Sequence, residues 1–307
     1  MESLLQKCLF GHYEIFDTLK NLYLNKKFPN KIILSGEKGI GKCTLAYHII
    51  NYILSLNEDY NYDTKDYKIN SENKSFKLIE NKSNPNFNLI DVKEGKKNID
   101  INQIRDLISN LNKSSFNVNP RFVLIDNINL LNINSVNALL KVIEEPNDNI
   151  NFILINSNKR VLPTLKSRCI NFKISLSQNQ VIEIANKIID QDIYDLINKE
   201  LINYYTTPGQ LLRVLKISEE FEIDVKNLSL ENFLSLIIKN KLYKKDKKLI
   251  ELTYSFIEIY FRNKVNIKNI EILSFYTFFL KKIINTKIYN LDEESIFMEF
   301  EDRILNG

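Results

Sequence analysis

Residues 36–42 carry the clearest chemistry in the chain. Three of its seven glycines lie there, at the spacing of a phosphate-binding loop that ends in Lys42. Glycines let the backbone turn its N–H groups toward an anion, and the lysine reaches the β- and γ-phosphates of a nucleotide. A chance glycine-rich turn is the alternative, and the spacing disfavours it. The predicted nucleotide-binding positions are Gly36, Gly39, Gly41, Lys42, Cys43 and Thr44.

The residue after Lys42 does not fit this motif. A Ser or Thr hydroxyl normally binds Mg²⁺ there, but the chain has Cys43, and Thr44 lies one residue too late. A thiol is a poor ligand for a hard cation that prefers oxygen. We therefore expect no certain cofactor, with ATP or ADP binding weakly and without Mg²⁺.

Composition and charge restrict the class of protein. The chain has 307 residues, of which 44% are hydrophobic and 26% charged, as in an ordinary soluble globular protein. Its net charge of +4 is too small to indicate nucleic-acid binding by itself. Cys8, Cys43 and Cys169 are far apart in sequence, so we expect neither a zinc site nor a disulfide framework. No signal peptide or membrane-spanning segment is predicted, and a cytoplasmic location is the simplest interpretation.

A phosphate-binding loop needs a strand before it and a helix after it. The β-branched run 32–34 predicts that strand, and apolar residues from Leu45 onward predict the helix. Further strands are predicted at residues 88–92, 121–126, 151–155 and 169–174, alternating with helices. This order indicates an α/β domain with a mostly parallel sheet. Residues 57–86 are rich in Asn, Lys, Asp and Tyr and read as an exposed insertion with weak structural signals.

The pattern becomes helical after Ser175, while residues 1–30 read as one helix leading into the first strand. Ser177 and Gln180 have the spacing of a capping box, and Pro208 is expected at the first position of another helix. Four more helices are predicted at residues 230–239, 247–263, 270–282 and 293–305. We therefore divide the chain into residues 1–174, 175–217 and 218–307.

Three further features accompany the loop. Asp126 ends an apolar strand, where an acid could help to hold Mg²⁺, and Asn127 follows it. Asn156 ends the next apolar strand. The triplet Ser-Arg-Cys at residues 167–169 is weak by itself but strong when joined to the segment 137–146, which reads NALLKVIEEP.

Together these motifs resemble the clamp-loader subunits of bacterial DNA polymerase III, which are AAA+ proteins, and most closely the delta-prime subunits. By motif the resemblance covers residues 1–217. It implies a P-loop AAA+ domain, a helical lid and an all-helical C-terminal collar that holds the subunits in a ring. It also implies a Walker B remnant at Asp126 and Asn127, sensor 1 at Asn156, and an arginine finger, Arg168, that acts in trans on a neighbour's ATP.

The chain departs from the active members of this family at three places. Cys43 and Asn127 stand where an ATPase needs a hydroxyl and a carboxylate, and Gly209, or alternatively Gln210, stands where it needs a sensor-2 guanidinium. The resemblance therefore implies a subunit that does not hydrolyse ATP. Its implied partners are the gamma/tau ATPase subunits and the delta subunit in a hetero-oligomeric ring, with the sliding clamp and primer–template DNA reached through the complex and no membrane.

Two other functions stay open at this point. An active AAA+ ATPase of the gamma/tau kind would have the same fold, although the three replaced residues argue against it. A P-loop kinase or regulator unrelated to replication would leave the pairing of residues 137–146 with residues 167–169 unexplained. Arg168 also has a simpler interpretation, as a surface arginine that pairs locally with Glu144 or Glu145.

Overall fold

The structure is a computed structural model that describes residues 6–93, 96, 98–112, 119–144, 149–157, 162–203, 206–245, 247–264, 270–289 and 291–306. The chain forms two compact units. Unit 1 comprises Met1–Ile188 with Thr207–Gly209, and unit 2 comprises Ile189–Thr206 with Gln210–Gly307. The three-part division stays a prediction.

Unit 1 is built on a five-stranded sheet in which all neighbouring strands are parallel, with the strand order β2-β3-β4-β1-β5. The predicted α/β class and mostly parallel sheet are thus confirmed. The observed strands differ from the predicted ones by one or two residues at their ends. They are β1 (Lys31–Ser35), β2 (Phe87–Ile90), β3 (Arg121–Ile125), β4 (Ile150–Asn156) and β5 (Ile170–Lys173).

Seven helices precede residue 190 in the described part of the chain. A short 3₁₀ helix, Ile128–Leu130, follows β3. The helices are α1 (Tyr13–Leu24), α2 (Lys42–Leu54), α3 (Lys74–Glu80), α4 (Ile101–Leu111), α5 (Ile133–Glu144), α6 (Pro163–Lys166) and α7 (Gln178–Ile189).

The central strands are buried on both faces, because successive side chains of a strand point to opposite sides. Ile32 and Leu34 lie in one apolar layer, which includes side chains of α1, α2 and α3. Ile33 lies in the opposite layer, which includes side chains of α4, α5 and α6. Continuous runs of Ile, Leu, Val and Phe in β1, β3 and β4 are therefore what a covered parallel sheet requires.

The predicted helix over the first thirty residues is wrong at its start. Gly11 and His12 have positive φ angles of 79° and 58°, which interrupt a right-handed helix, and α1 begins only at Tyr13. The residues before them run alongside residues 67–69: the Leu9 N–H donates to the Tyr67 carbonyl over 2.9 Å.

The insertion after α2 is more ordered than its composition predicted. Within residues 57–86, Tyr62, Ile69, Phe76 and Ile79 are each at most 4% exposed. Asn73 caps α3 by accepting a hydrogen bond from the Phe76 N–H over 2.7 Å. A few widely spaced apolar residues in a polar segment give no periodic signal, which explains why the sequence pattern indicated an exposed insertion.

Unit 2 is helical in its described residues. Phe261 stacks on Phe279 with ring centroids 5.6 Å apart, and Phe300 meets both rings edge-on. The Leu230–Lys239 helix matches its prediction, and the next two run one and seven residues longer than predicted. The helices after residue 190 are α8 (Ile193–Leu196), α9 (Pro208–Glu220), α10 (Leu230–Lys239), α11 (Leu242–Lys245), α12 (Lys247–Lys264), α13 (Ile270–Tyr289) and α14 (Glu293–Phe300), with a 3₁₀ helix at Lys199–Leu201 and a π-helical turn at Glu301–Leu305.

Among the described residues, no helix combines the length and the apolar character that crossing a membrane requires.

Candidate functional site

The phosphate-binding loop has the predicted strand–loop–helix setting. Strand β1 ends at Ser35, and α2 begins at Lys42, so residues 36–41 form the connection. Gly39 and Gly41 have φ angles of +88° and +92°, which L side chains rarely adopt. Glycine is therefore required at both positions by the backbone itself.

Lys42 is folded back onto the loop that precedes it. Its side chain is only 3% exposed, and Nζ donates hydrogen bonds to the carbonyls of Gly36 over 3.0 Å and Glu37 over 2.5 Å. Burial lowers the pKa of Lys42 to about 8, although Asp126 nearby acts in the opposite direction. The ammonium group is thus held by carbonyl oxygens of its own loop.

Residues 207–209, where α9 begins, contact the same loop within unit 1. The Thr207 hydroxyl donates to the Lys38 carbonyl over 3.1 Å, and the Gly209 N–H donates to the Gly39 carbonyl over 2.9 Å. A Cβ atom placed on Gly209 would lie 2.9 Å from Cα of Gly39 and 3.0 Å from its carbonyl oxygen. Any side chain at position 209 would collide with the backbone of the loop, so no guanidinium fits there.

His12, which precedes the loop in the sequence, also forms a hydrogen bond with it. Its Nε2 lies 2.5 Å from the Ile40 carbonyl oxygen, and since a carbonyl only accepts, Nε2 carries the proton. Burial lowers the pKa of His12. Sequence reasoning missed this residue. The available signal was a Gly-His pair just before a helix, in a chain with two histidines.

Cys43 lies beside the acid predicted to hold magnesium. Its thiol donates a hydrogen bond to the carboxylate of Asp126, whose pKa is raised by burial and by Asp91. Thr44 is half-buried on α2, one position farther along. A thiol bonded to the carboxylate replaces the hydroxyl that Mg²⁺ requires, so the donor set does not fit a bound magnesium nucleotide.

Asn127 stands in a left-handed conformation, with φ 58° and ψ 57°, immediately after β3. Its backbone N–H donates to the Asp126 carboxylate. Asn tolerates this backbone conformation better than most residues with a side chain. The local geometry therefore favours Asn, and its amide cannot accept a proton from water.

Asn156 is the last residue of β4 and lies next to the start of the loop. It is 1% exposed, stands opposite Ser35 in the parallel register, and its carbonyl accepts the Gly36 N–H over 3.2 Å. The structure thus brings the loop, Asp126, Asn127 and Asn156 to one edge of the sheet, where the strands have their carboxyl ends.

Arg168 lies at the opposite edge of the sheet. It precedes β5, whose first residue, Ile170, pairs with Ile32 near the start of β1, whereas the loop follows the end of β1. Cys169 beside it is buried, which raises the pKa of its thiol to about 11. The described hydrogen bonds of the guanidinium go to Glu144, Thr164 and Ser167, and none goes to the loop.

With the geometry described, comparison with known proteins decides the family. A family model described as DNA polymerase III, delta subunit, matches residues 11–178, which is more than half of the chain. The chain belongs to this family. The predicted resemblance to the subunits of DNA polymerase III is therefore confirmed.

Relatives of this chain include DNA polymerase III subunits named gamma and subunits named delta'. The chain is 29% identical over 248 residues to DNA polymerase III subunit gamma of Buchnera aphidicola subsp. Schizaphis graminum, a match that covers 76% of this chain and 64% of that protein. It is 30% identical over 139 residues to subunit delta' of Pseudomonas aeruginosa, covering 45% of this chain and 40% of that one. In both cases the match spans less than two thirds of the relative.

The fold agrees with a solved structure from Thermotoga maritima, that of a DNA polymerase III gamma subunit-related protein. The match has a TM-score of 0.50 and 19% identity, and it covers 92% of this chain and 96% of the other. At this identity the likeness shows the fold alone.

Proposed function

We propose that this chain is a clamp-loader subunit of DNA polymerase III, of the delta-prime kind. Its role would be to support ATP-driven loading of the sliding clamp onto primed DNA without hydrolysing ATP itself. The family match over residues 11–178 and the relatives named gamma and delta' support the assignment. Its proposed partners are the gamma/tau ATPase subunits and the delta subunit, in the cytoplasm.

The observation that carries the non-hydrolysing role is the contact between Gly209 and Gly39. Where the family's ATPases place a guanidinium, this chain packs backbone on backbone, with the Gly209 N–H bonded to the loop. Cys43 and Asn127 add two further replacements, since one removes a magnesium ligand and the other removes the base that would orient water.

A gamma-type ATPase is the second candidate, because a gamma relative matches 76% of the chain at 29% identity. Steady-state ATP hydrolysis by the purified chain separates the two functions, with Lys42→Ala as the control. We expect no turnover above that of the Lys42→Ala variant. Turnover that the wild-type chain shows and the variant lacks would favour the gamma-type function.

Arg168 is the residue proposed to act on a neighbouring subunit. Strand β1 separates its edge of the sheet from the loop by roughly 13 Å, given about 3.3 Å per residue from Lys31 to Ser35. This separation exceeds the reach of an arginine side chain, so any phosphate it meets belongs to another chain. Charge accumulates on the phosphoryl oxygens during hydrolysis, and a planar, permanently charged guanidinium can stabilise it.

The test is to assemble the complex with Arg168→Ala and measure ATP hydrolysis stimulated by clamp and DNA. Arginine fingers are worth about 10³–10⁵ in rate where they have been measured, so the neighbouring site should lose most of its activity while assembly survives. Arg168→Lys should restore little, because an ammonium supplies charge without the forked geometry. Undiminished clamp loading by an intact Arg168→Ala complex would reduce Arg168 to a surface residue.

Unit 2 is proposed to carry assembly, as the collar of the ring. The support is a set of large apolar side chains exposed on α13 and just after it, where a lone protein would favour polar residues. They are Leu273, Ile284, Ile288, Tyr289 and Leu291, each at least 50% exposed.

A further inference from the structure

The guanidinium of Arg168 is almost fully bonded within its own chain. Nε and Nη2 donate to Oε1 of Glu144 over 2.9 and 2.6 Å, and Nη1 donates to the Thr164 carbonyl over 3.0 Å and to the Ser167 hydroxyl over 3.2 Å. These contacts use all but one of the N–H donors that a guanidinium has. The group therefore faces its own protein surface.

This arrangement leaves the Arg168 guanidinium without two parallel N–H groups that are both available to a phosphate. Strong recognition of a phosphate uses two parallel N–H groups of the guanidinium together. The Nε and Nη2 side is taken by Glu144, and Nη1 is taken by the turn after α6. To bind a phosphate through two donors, the side chain has to leave Glu144.

The pair is also one that can open readily. The side chains of Arg168 and Glu144 are 35% and 49% exposed, and an ion pair so exposed contributes little net free energy. Glu144 is the last residue of α5, where the helix dipole disfavours an acid and a nearby cation compensates for it. The position in which Arg168 is bonded to Glu144 and a position in which it is released therefore differ by a small free energy.

We propose that Glu144 holds Arg168 in a resting position, from which it is released when the neighbouring subunit and its ATP come into place. This inference rests on the proposed function and adds its regulation. Glu144 is then a restraining residue that lowers hydrolysis in the unstimulated complex. The Thr164 carbonyl and Ser167 hydroxyl complete the resting position.

The experiment measures ATP hydrolysis by complete complexes that contain the wild-type chain, Glu144→Gln or Arg168→Ala, each with and without clamp and primed DNA. Glu144→Gln should raise the unstimulated rate about two- to five-fold, the range that an exposed ion pair can shift, and leave the stimulated rate unchanged. Glu183→Gln is the matched control, because it breaks the exposed Glu183–Lys187 pair, also 2.6 Å long, on α7.

Salt dependence gives a readout that a merely structural role would not change. Added salt screens an exposed pair, so the unstimulated rate of the wild-type complex should rise toward that of the Glu144→Gln complex. The ratio of the two rates should approach one at high salt.

The outcomes separate the inference from the function beneath it. If Arg168→Ala lowers the stimulated rate but Glu144→Gln leaves the unstimulated rate unchanged, the resting position is overturned and the proposed function stands. If Glu144→Gln lowers the stimulated rate, as Arg168→Ala does, then Glu144 orients Arg168 for its action on the neighbouring subunit. This result also overturns the restraint. If Arg168→Ala has no effect on the stimulated rate, the proposed action of Arg168 on the neighbouring subunit fails, and the restraint by Glu144 fails with it.

Discussion

Replacing His48 tests whether a buried neutral imidazole makes the stability of the chain depend on pH. His48 is fully buried on α2, where Nε2 lies 3.0 Å from the Gln6 carbonyl oxygen and Nδ1 lies 2.8 Å from the Tyr62 hydroxyl. Because the carbonyl only accepts, Nε2 carries the proton, and Nδ1 accepts from Tyr62. Protonating Nδ1 would remove that acceptor and place a charge among apolar side chains.

The size of the effect follows from the pKa. Burial lowers the pKa of His48 from 6.5 to about 4. Below pH 6.5 the unfolded chain takes up a proton that the folded chain refuses, so stability falls as the pH falls through this window. At about 1.36 kcal/mol per pKa unit, the loss attributable to His48 is about 2 kcal/mol at pH 5 and negligible at pH 7.5.

The assay is urea unfolding of the wild-type chain and of His48→Gln at pH 7.5 and pH 5. Glutamine has both a donor and an acceptor but does not titrate, so it can keep both hydrogen bonds. The wild-type chain should lose about 2 kcal/mol more than the variant between the two pH values, since the carboxylates titrate alike in both. With two histidines in the chain, NMR can follow the ring protons directly.

Two results would refute this reasoning. Equal losses of free energy in both proteins would show that His48 does not titrate differently on folding. A His48 ring proton that titrates near pH 6.5 in the folded protein would show that burial does not exclude its charge.

Three further changes probe the other parts of the chain. Gly209→Ala should lower the free energy of unfolding by about 1–3 kcal/mol, because the added Cβ overpacks the loop. The control is Glu219→Ala, at an exposed position of the same helix, which should change the free energy of unfolding by less than about 0.5 kcal/mol. Thermal unfolding measures both variants against the wild-type chain. Asn127→Glu should give no ATP turnover and should destabilise the chain by roughly 1 kcal/mol, since it forces Glu into a left-handed conformation; turnover by this variant alone would contradict the proposed site. Ile284→Glu should leave the melting temperature unchanged but weaken assembly in gel filtration with the partner subunits, whereas Asn285→Glu, at a neighbouring exposed position, should assemble normally.

The sheet was predictable because its signals are local. Apolar runs predicted β1, β3 and most of β4, and residues such as Ile32, Ile33 and Leu34 are fully buried as expected. The start of α1 was not predicted, since a positive φ at His12 depends on the bond between its ring and the Ile40 carbonyl. That bond joins residues 28 positions apart and has no periodic signature.

The site was predictable in its residue types but not in its contacts. The spacing of the glycines pointed to Lys42, the position at a strand end pointed to Asp126, and the family resemblance pointed to Asn156; the structure brings all three to one edge of the sheet. The bond from Thr207 to the Lys38 carbonyl spans 169 positions, and only the folded chain brings the two together. For Arg168 the sequence offered a role in trans or a local ion pair as alternatives. The structure contains the ion pair between Arg168 and Glu144. In the proposed resting position this ion pair precedes the action of Arg168 on the neighbouring subunit.

The close approach of Gly39 and Gly209 also constrains how the sequence can change. A Cβ atom on Gly209 would lie 2.9 Å from Cα of Gly39, and a Cβ atom on Gly39 would lie 2.6 Å from the Thr207 hydroxyl oxygen, so a side chain at either glycine requires the facing segment to move. An arginine introduced at position 209 would have to displace the loop before it could meet any phosphate. Displacing the loop would in turn break the bonds to the carbonyls of Lys38 and Gly39. For the non-hydrolysing subunit proposed above, acquiring ATPase activity would therefore require several simultaneous changes, and single substitutions along that route would first lose stability.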